Sequence, residues 1–144
     1  MVKSCFRVSE DKRVYLPSLV GLDAFVLTHT MEAVNVPEQD AVDKFLPKLV
    51  HHCTLDTKAP ITIGALGTPE YYMETRYAVQ KALMESEAVI DEVFKDFEKA
   101  FGRKYQRVTS YKTEGADIII ITMGSMTGTA RVAVDKMRAA GKKV

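Results

Sequence analysis

The chain has 144 residues, of which 47% are hydrophobic and 27% charged, a composition that is typical of a globular protein. Its 20 basic and 19 acidic residues leave a formal net charge of +1, which provides no electrostatic footprint for nucleic acid. Cys5 and Cys53 form no CxxC motif, which excludes a zinc or iron–sulfur site built from cysteines of this chain and favours a reducing, cytoplasmic setting. The apolar run at 118–123 is too short to span a bilayer, so no membrane partner is expected.

The first 67 residues combine short elements with irregular segments. Residues 12–30 predict a buried strand near 18–22 that runs into a loop through 23–30. Residues 36–47 predict a short helix, with Pro37 at its first position and Pro47 after its end. Residues 48–70 contain four Gly and Pro breaks and only a marginal strand, "ITIGA", so we expect a linker there.

Residues 69–102 predict one long amphipathic helix. Thr68 is the expected N-cap, Pro69 the first helical residue and Gly102 the stop. At 1.5 Å per residue this helix is roughly 45 Å long, so we expect it to bridge two structural units. Its apolar stripe recurs at spacings of three, four or seven and comprises Val79, Leu83, Ile90, Phe94, Phe97 and Phe101.

Residues 106–144 predict a strand, a tight loop, a helix and the start of a second strand. The run Ile118–Ile121 does not alternate with polar residues, which indicates a strand buried on both faces of a parallel sheet. A parallel strand needs neighbours, and the second strand would only begin at "KKV". We therefore expect an α/β protein with parts of two parallel-sheet domains joined by the long helix, and an incomplete fragment or a chain whose sheets partner chains complete.

Three motifs occur in order along the chain, within residues 10–34, 71–83 and 116–144. They comprise Leu16, Pro17, Val20, Asp23, Phe25, His29 and Thr30; then Tyr71, Tyr72, Met73, Glu74, Arg76 and Tyr77; and then Met123, Gly124, Ser125, Gly128, Thr129 and Ala130. Together they resemble the alpha part of the pyruvate:ferredoxin (flavodoxin) oxidoreductases, within the 2-oxoacid:ferredoxin oxidoreductase family. The resemblance covers nearly the whole chain.

The resemblance implies an activity, its cofactors and its partners. Such enzymes oxidatively decarboxylate pyruvate or a related 2-oxoacid to acyl-CoA on thiamine diphosphate with magnesium. They pass electrons through iron–sulfur clusters to ferredoxin or flavodoxin. The resemblance assigns residues 1–67 to the end of a pyrimidine-binding domain and its linker, 68–105 to a connecting helix, and 106–144 to the start of a transketolase C-terminal-like domain.

The same resemblance leaves this chain without a catalytic residue. The family's pyrimidine-activating glutamate would lie upstream of Met1, and the diphosphate, magnesium and cluster sites would belong to other domains or subunits. We therefore expect the chain to serve as scaffold and interface in an oligomeric complex, and to bind no cofactor and turn over no pyruvate alone.

Two clusters remain candidate sites, the first for a ligand or a subunit interface and the second, a weaker candidate, for an anion. Asp23, Thr28, His29 and Thr30 follow the predicted strand near 18–22, at the end where α/β proteins place ligand contacts. The loop formed by Gly124, Ser125, Thr127, Gly128 and Thr129 precedes a helix whose N-terminus could bind an anion. It lacks the lysine of a phosphate-binding P-loop, so the structural alternative is a tight turn in which both glycines permit the bend and Ser125 or Thr127 caps the helix.

Other polar groups are weaker candidates. "HHC" at 51–53 contains metal-ligating residue types, but adjacent side chains point in different directions, so we expect no metal. Glu74 and Arg76 are interpreted as an ion pair across an interface. Two other functions stay open: a stand-alone nucleotide-binding module that uses residues 124–129, and a structural or assembly subunit without catalysis.

Overall fold

The computed structural model describes residues 1–144 and contains four helices, α1 (Val2–Ser9), α2 (Gln39–Phe45), α3 (Pro69–Phe101) and α4 (Met126–Ala139). The chain divides into two units, each made from two stretches of sequence. The first unit combines Met1–Val20 with Pro37–Tyr105, and the second combines Gly21–Val36 with Gln106–Val144. The domain bounds that the family resemblance implies stay a prediction.

The ends of α3 confirm the sequence signals. Thr68 is the N-cap, Pro69 is the first helical residue and Gly102 is the C-cap with a left-handed φ of +67°. The Gly102 amide donates to the Glu98 carbonyl at 2.8 Å, which satisfies one of the carbonyl groups in the last turn of the helix. All of α3 lies within the first unit.

The first unit is held by a small apolar core where α1 and α2 pack on the C-terminal half of α3. Phe97 lies at its centre, with ring centroids 5.4 Å from Phe45, 4.6 Å from Phe101 and 5.3 Å from Tyr105. Aromatic pairs at these distances are favourable beyond the area that they bury. The buried apolar residues of this core are Val14, Phe45, Val89, Val93 and Phe97.

The predicted apolar stripe of α3 is correct only in part. Phe97 is buried, but Leu83 is exposed, and the other buried apolar residues of α3 are Val93 and Val89, one and two turns before Phe97. A single helix presents several overlapping apolar rows, and the row that is buried depends on where α1 and α2 dock. The apolar stripe predicted from residue spacing therefore coincides only in part with the face of α3 that is buried.

Two arginines tie the N-terminal segment to the rest of the first unit. Arg7 donates to the Phe45 carbonyl and lies 3.7 Å from the Asp96 carboxylate. The Arg13 guanidinium lies 2.8 Å from both the Asp11 and the Glu92 carboxylates. The hydrogen bond from Arg13 lowers the pKa of Asp11 below its ordinary value. These pairs are partly exposed, so they orient the segment more than they stabilise it.

We predict that replacing Ser4 with alanine stabilises the chain. The Ser4 hydroxyl is buried and has no hydrogen-bond partner, and a buried polar group without a partner costs free energy. S4A removes that group and favours the helix, so the free energy of unfolding measured in urea should rise by about 1 kcal/mol.

S86A is the matched control for S4A. Ser86 is also buried in the first unit, but its hydroxyl donates to the Leu83 carbonyl at 2.6 Å, so its removal should bring no such gain. A loss of stability in S4A would show that the Ser4 hydroxyl has a partner in solution.

The segments predicted to be strands are not paired into a sheet. Ile118–Ile121 is exposed, with 92% of Ile121 accessible, and Leu19 of the segment near 18–22 is 95% exposed. The Asp117 and Ile118 amides both donate to the Lys143 carbonyl, which brings the beginning of "IIIITM" beside "KKV". A strand forms only where neighbours satisfy its backbone, so the α/β fold class stays a prediction.

None of the four helices combines the length and the apolar character that a membrane span requires.

Candidate functional site

The best-defined polar site of the chain lies at the N-terminus of α4, in the second unit. Asp23 Oδ2 accepts hydrogen bonds from the Ser125 backbone amide at 2.7 Å and from the Ser125 hydroxyl at 2.5 Å. Asp23 Oδ1 accepts a third from the Ala24 amide at 2.9 Å. Asp23 and Ser125 lie 102 positions apart in sequence, so their contact joins the first and third motifs.

Gly124 leaves the space in which the Asp23 carboxylate sits. Its φ is +77°, a left-handed conformation that glycine adopts without strain. A Cβ built on Gly124 would lie 2.8 Å from Asp23 Oδ2, closer than real Cβ contacts allow. Glycine is therefore required here both by the backbone and by the neighbouring carboxylate.

The electrostatics of the site favour a charged Asp23. The hydroxyl and then the amide of Ser125 lower the pKa of the Asp23 carboxyl below its ordinary value, because both donate to the ionised form. The positive end of the α4 dipole acts in the same direction. At neutral pH, the N-terminus of α4 thus already has an anion, and it comes from the chain itself.

Thr28, His29 and Thr30 form a local turn around residues 25–30. Thr28 Oγ1 lies 2.9 Å from His29 Nδ1, the His29 ring stacks on Phe25 at 4.8 Å between centroids, and Thr30 donates to the Val26 carbonyl. All three side chains are exposed, and these contacts are with near neighbours in sequence. Of the four candidates after the predicted strand, only Asp23 makes a long-range contact.

The loop at 124–129 differs from the expected turn in two details. Ser125 is the N-cap residue of α4, but its hydroxyl makes no capping hydrogen bond and donates to Asp23 instead, and Thr127 accepts a hydrogen bond from Thr122 at 3.2 Å. Gly128 lies inside α4 with Thr129, so the bend requires only Gly124. The charged Asp23 carboxylate is a stronger hydrogen-bond acceptor than a hydroxyl group, and it accepts from both the amide and the hydroxyl of Ser125.

The HHC stretch lies in an exposed part of the first unit. The His52 ring contacts the Tyr15 ring edge-on at 4.4 Å between centroids, while His51 and Cys53 are exposed. The structure brings together no group of three or more His, Cys, Asp or Glu side chains that could hold a metal ion.

The second motif, at 71–77, lies on the half of α3 that precedes the core. Tyr71, Tyr72, Met73 and Tyr77 are all exposed, although their side chains are large and apolar. A run of exposed aromatic residues on one helix is typical of an interaction surface. The expected ion pair of Glu74 and Arg76 across an interface stays a prediction.

Sequence reasoning did not single out Asp135 of α4. The Tyr111 hydroxyl donates to its carboxylate at 2.9 Å, and the Lys112 ammonium lies 2.5 Å away. Lys112, and then Tyr111, lower the pKa of Asp135. Arg138 donates to the Lys112 and Glu114 carbonyls, so α4 is tied to residues 111–114 at several points. These partners lie more than 20 positions apart, and no local pattern indicates them.

The comparisons with known proteins identify the family. Residues 1–95 match the family model described as "Pyruvate flavodoxin/ferredoxin oxidoreductase, thiamine diP-bdg". The chain belongs to this family of thiamine diphosphate-binding oxidoreductases, which confirms the resemblance carried by its motifs.

The similar proteins include subunits of two enzymes. The chain is 51% identical over its whole length to pyruvate synthase subunit PorA of Pyrococcus furiosus, and 45% identical over 96% of its length to PorA of Methanothermobacter thermautotrophicus. It is 42% identical over 99% of its length to ketoisovalerate oxidoreductase subunit VorA of Pyrococcus horikoshii. The chain spans 37% of the length of the first of these relatives.

The loop at 124–129 does not by itself fit the diphosphate of thiamine diphosphate. A diphosphate needs free amide or cationic donors, but the Ser125 amide at the glycine loop is bonded to Asp23. While Asp23 is bonded to Ser125, this loop offers the cofactor no free amide at Ser125.

Proposed function

We propose that this chain is part of an enzyme that oxidatively decarboxylates a 2-oxoacid to acyl-CoA and passes the electrons to ferredoxin or flavodoxin. The observation that carries the proposal is the 51% identity over the entire chain to pyruvate synthase subunit PorA, within the matched family. Within one organism, Pyrococcus horikoshii, the chain is 51% identical to the pyruvate synthase subunit PorA and 42% identical to the ketoisovalerate subunit VorA, which favours pyruvate as the substrate.

Within that enzyme, the chain supplies scaffold and interface. Support comes from exposed apolar residues at two places, the tyrosines of α3 and the run Ile118–Ile121. Large apolar side chains are stabilised by burial, so these two surfaces suit contacts with other subunits or domains of an oligomeric assembly. The predicted α/β class fits this proposal, because neighbouring strands would pair with both edges of Ile118–Ile121 and helices would cover both of its faces.

The rest of the assembly carries the reacting groups in this proposal. The diphosphate of thiamine diphosphate with its magnesium ion, and the iron–sulfur clusters that lead to ferredoxin or flavodoxin, bind to residues outside this chain. The two cysteines without a CxxC motif fit a reducing compartment, so the enzyme is cytoplasmic.

The composition of the native assembly tests this proposal. The polypeptide would be tagged in its source cell and isolated without oxygen, and thiamine diphosphate, iron and the accompanying polypeptides would be quantified. We expect bound thiamine diphosphate, iron and further subunits, whereas the isolated chain should retain neither cofactor. An assembly free of thiamine diphosphate and iron would contradict the proposal and favour a structural or assembly role.

A stand-alone nucleotide-binding module is the second candidate, and it predicts tight binding at residues 124–129. We expect the opposite, because Asp23 occupies the anion position that a phosphate would need. Titration of the chain with ADP or coenzyme A, followed through the Ser125 amide signal by NMR, should give at best millimolar affinity. Micromolar binding that shifts this signal would establish the nucleotide module instead.

A further inference from the structure

We infer that Asp23 is a charge-dependent latch that holds segment Gly21–Val36 to the N-terminus of α4. The latch consists of Asp23, Gly124 and Ser125. It is a device of the fold that is independent of the proposed enzymatic activity.

The geometry of the latch depends on one carboxylate oxygen. Asp23 Oδ2 accepts both Ser125 bonds, at 2.7 Å from the amide and 2.5 Å from the hydroxyl. An amide group at the first turn of a helix has no carbonyl partner within that helix, so it requires an acceptor from elsewhere. The hydroxyl of Ser125, the N-cap residue of α4, makes no capping bond, and the Asp23 carboxylate accepts from both the amide and the hydroxyl of this residue.

Gly124 provides an independent sign that the loop is shaped around the carboxylate. Any other residue at this position would direct a Cβ to within 2.8 Å of Asp23 Oδ2 and would also be strained at a φ of +77°. By contrast, a Cβ at Gly128 meets no atom within 4 Å. Of the two loop glycines, only the one that contacts Asp23 is required by its surroundings.

Neutral donors alone hold the carboxylate. The groups that face it are the amide and hydroxyl of Ser125 on the α4 side and the amide of Ala24 on its own segment, and none of these residues has a charged side chain. The attraction is therefore between a full negative charge and the amide dipoles of the helix N-terminus. Protonation of Asp23 removes that charge without changing any other partner.

The sign of the pH dependence follows from this arrangement. The pKa of Asp23 is lowered in the folded chain, because the donors favour the ionised form. The latch is therefore fully closed above the ordinary pKa of an aspartate and opens as the pH falls through the lowered value. Its opening would separate the first and third motifs, which it joins across 102 positions.

Hydrogen exchange and NMR on the full 144-residue chain test the latch. D23N keeps the shape and an acceptor oxygen but removes the charge, so amides in 124–130 and 21–30 should exchange about two- to fivefold faster than in the wild type at neutral pH. D56N is the matched control. The Asp56 carboxylate also accepts a hydrogen bond from a backbone amide, that of Lys58, but it lies in the first unit, so D56N should leave the exchange of amides 21–30 and 124–130 unchanged. Unchanged exchange in D23N would overturn the inference.

A titration of the wild-type chain requires no variant. The Ser125 amide signal should shift with a midpoint below the ordinary pKa of an aspartate, and this shift should vanish in D23N. A Ser125 signal that does not titrate, or one that titrates identically in D23N, would show that the carboxylate does not hold the helix end in solution.

Discussion

Replacing Phe97 with alanine is expected to lower the free energy of unfolding of the first unit by about 3–5 kcal/mol. Phe97 is only 6% exposed and contacts three other aromatic rings, so its loss leaves a cavity at the point where α2 meets α3. This small core contains only four other buried apolar residues, so they can compensate little for the packing that Phe97 provides. Urea unfolding followed by far-UV circular dichroism measures the change.

Y77A on the same helix is the control for F97A. Tyr77 is aromatic, but 70% of it is exposed, so its removal should change the free energy of unfolding by no more than about 0.5 kcal/mol. Equal losses in the two variants would contradict the assignment of the core to the C-terminal half of α3.

Alanine at the two loop glycines should have opposite effects. G124A places a side chain in a left-handed backbone conformation and against Asp23, so we expect a loss of about 1–3 kcal/mol in the local stability of α4. G128A adds a methyl group in open space within the first turn of a helix, so we expect a gain of about 0.5–1 kcal/mol. Amide hydrogen exchange across 122–140 measures both.

A double variant separates the two causes of the G124A effect. In a D23A background, the carboxylate that the new Cβ would meet is gone, so G124A should cost less than in the wild type while the backbone strain remains. If the cost is the same in both backgrounds, Asp23 does not lie against Gly124 in solution.

The helices could be predicted from sequence because their signals are local. Proline and glycine marked both ends of α3, and Pro37 and Pro47 bracketed the α2 segment, although α2 itself is shorter, at Gln39–Phe45. Capping and termination depend on residues within a turn of the helix end, and such residues are adjacent in the sequence. The buried face of α3 was less predictable, because it depends on which elements dock against it.

The latch could be predicted only as separate parts. Asp23 and Ser125 each stood out as polar candidates beside an apolar run, but the bond between them spans 102 positions and leaves no periodic signal. The loop was interpreted either as a weak anion site or as a tight turn; the left-handed φ of Gly124 fits the turn, whereas binding of an external anion stays a prediction. Neither interpretation foresaw that the anion would be a carboxylate of the same chain. The predicted strands depend on neighbours, and their test requires the assembled protein.

The most direct test of the proposed function is an assay of the native assembly that contains this polypeptide. After isolation without oxygen, reduction of a viologen dye would be measured with pyruvate and coenzyme A, with each omitted in turn, and with 2-oxoisovalerate in place of pyruvate. We predict reduction that requires both substrates, is faster with pyruvate and is depleted along with the polypeptide. An intact assembly that reduces no dye with either 2-oxoacid would contradict the assignment of this chain to a 2-oxoacid oxidoreductase.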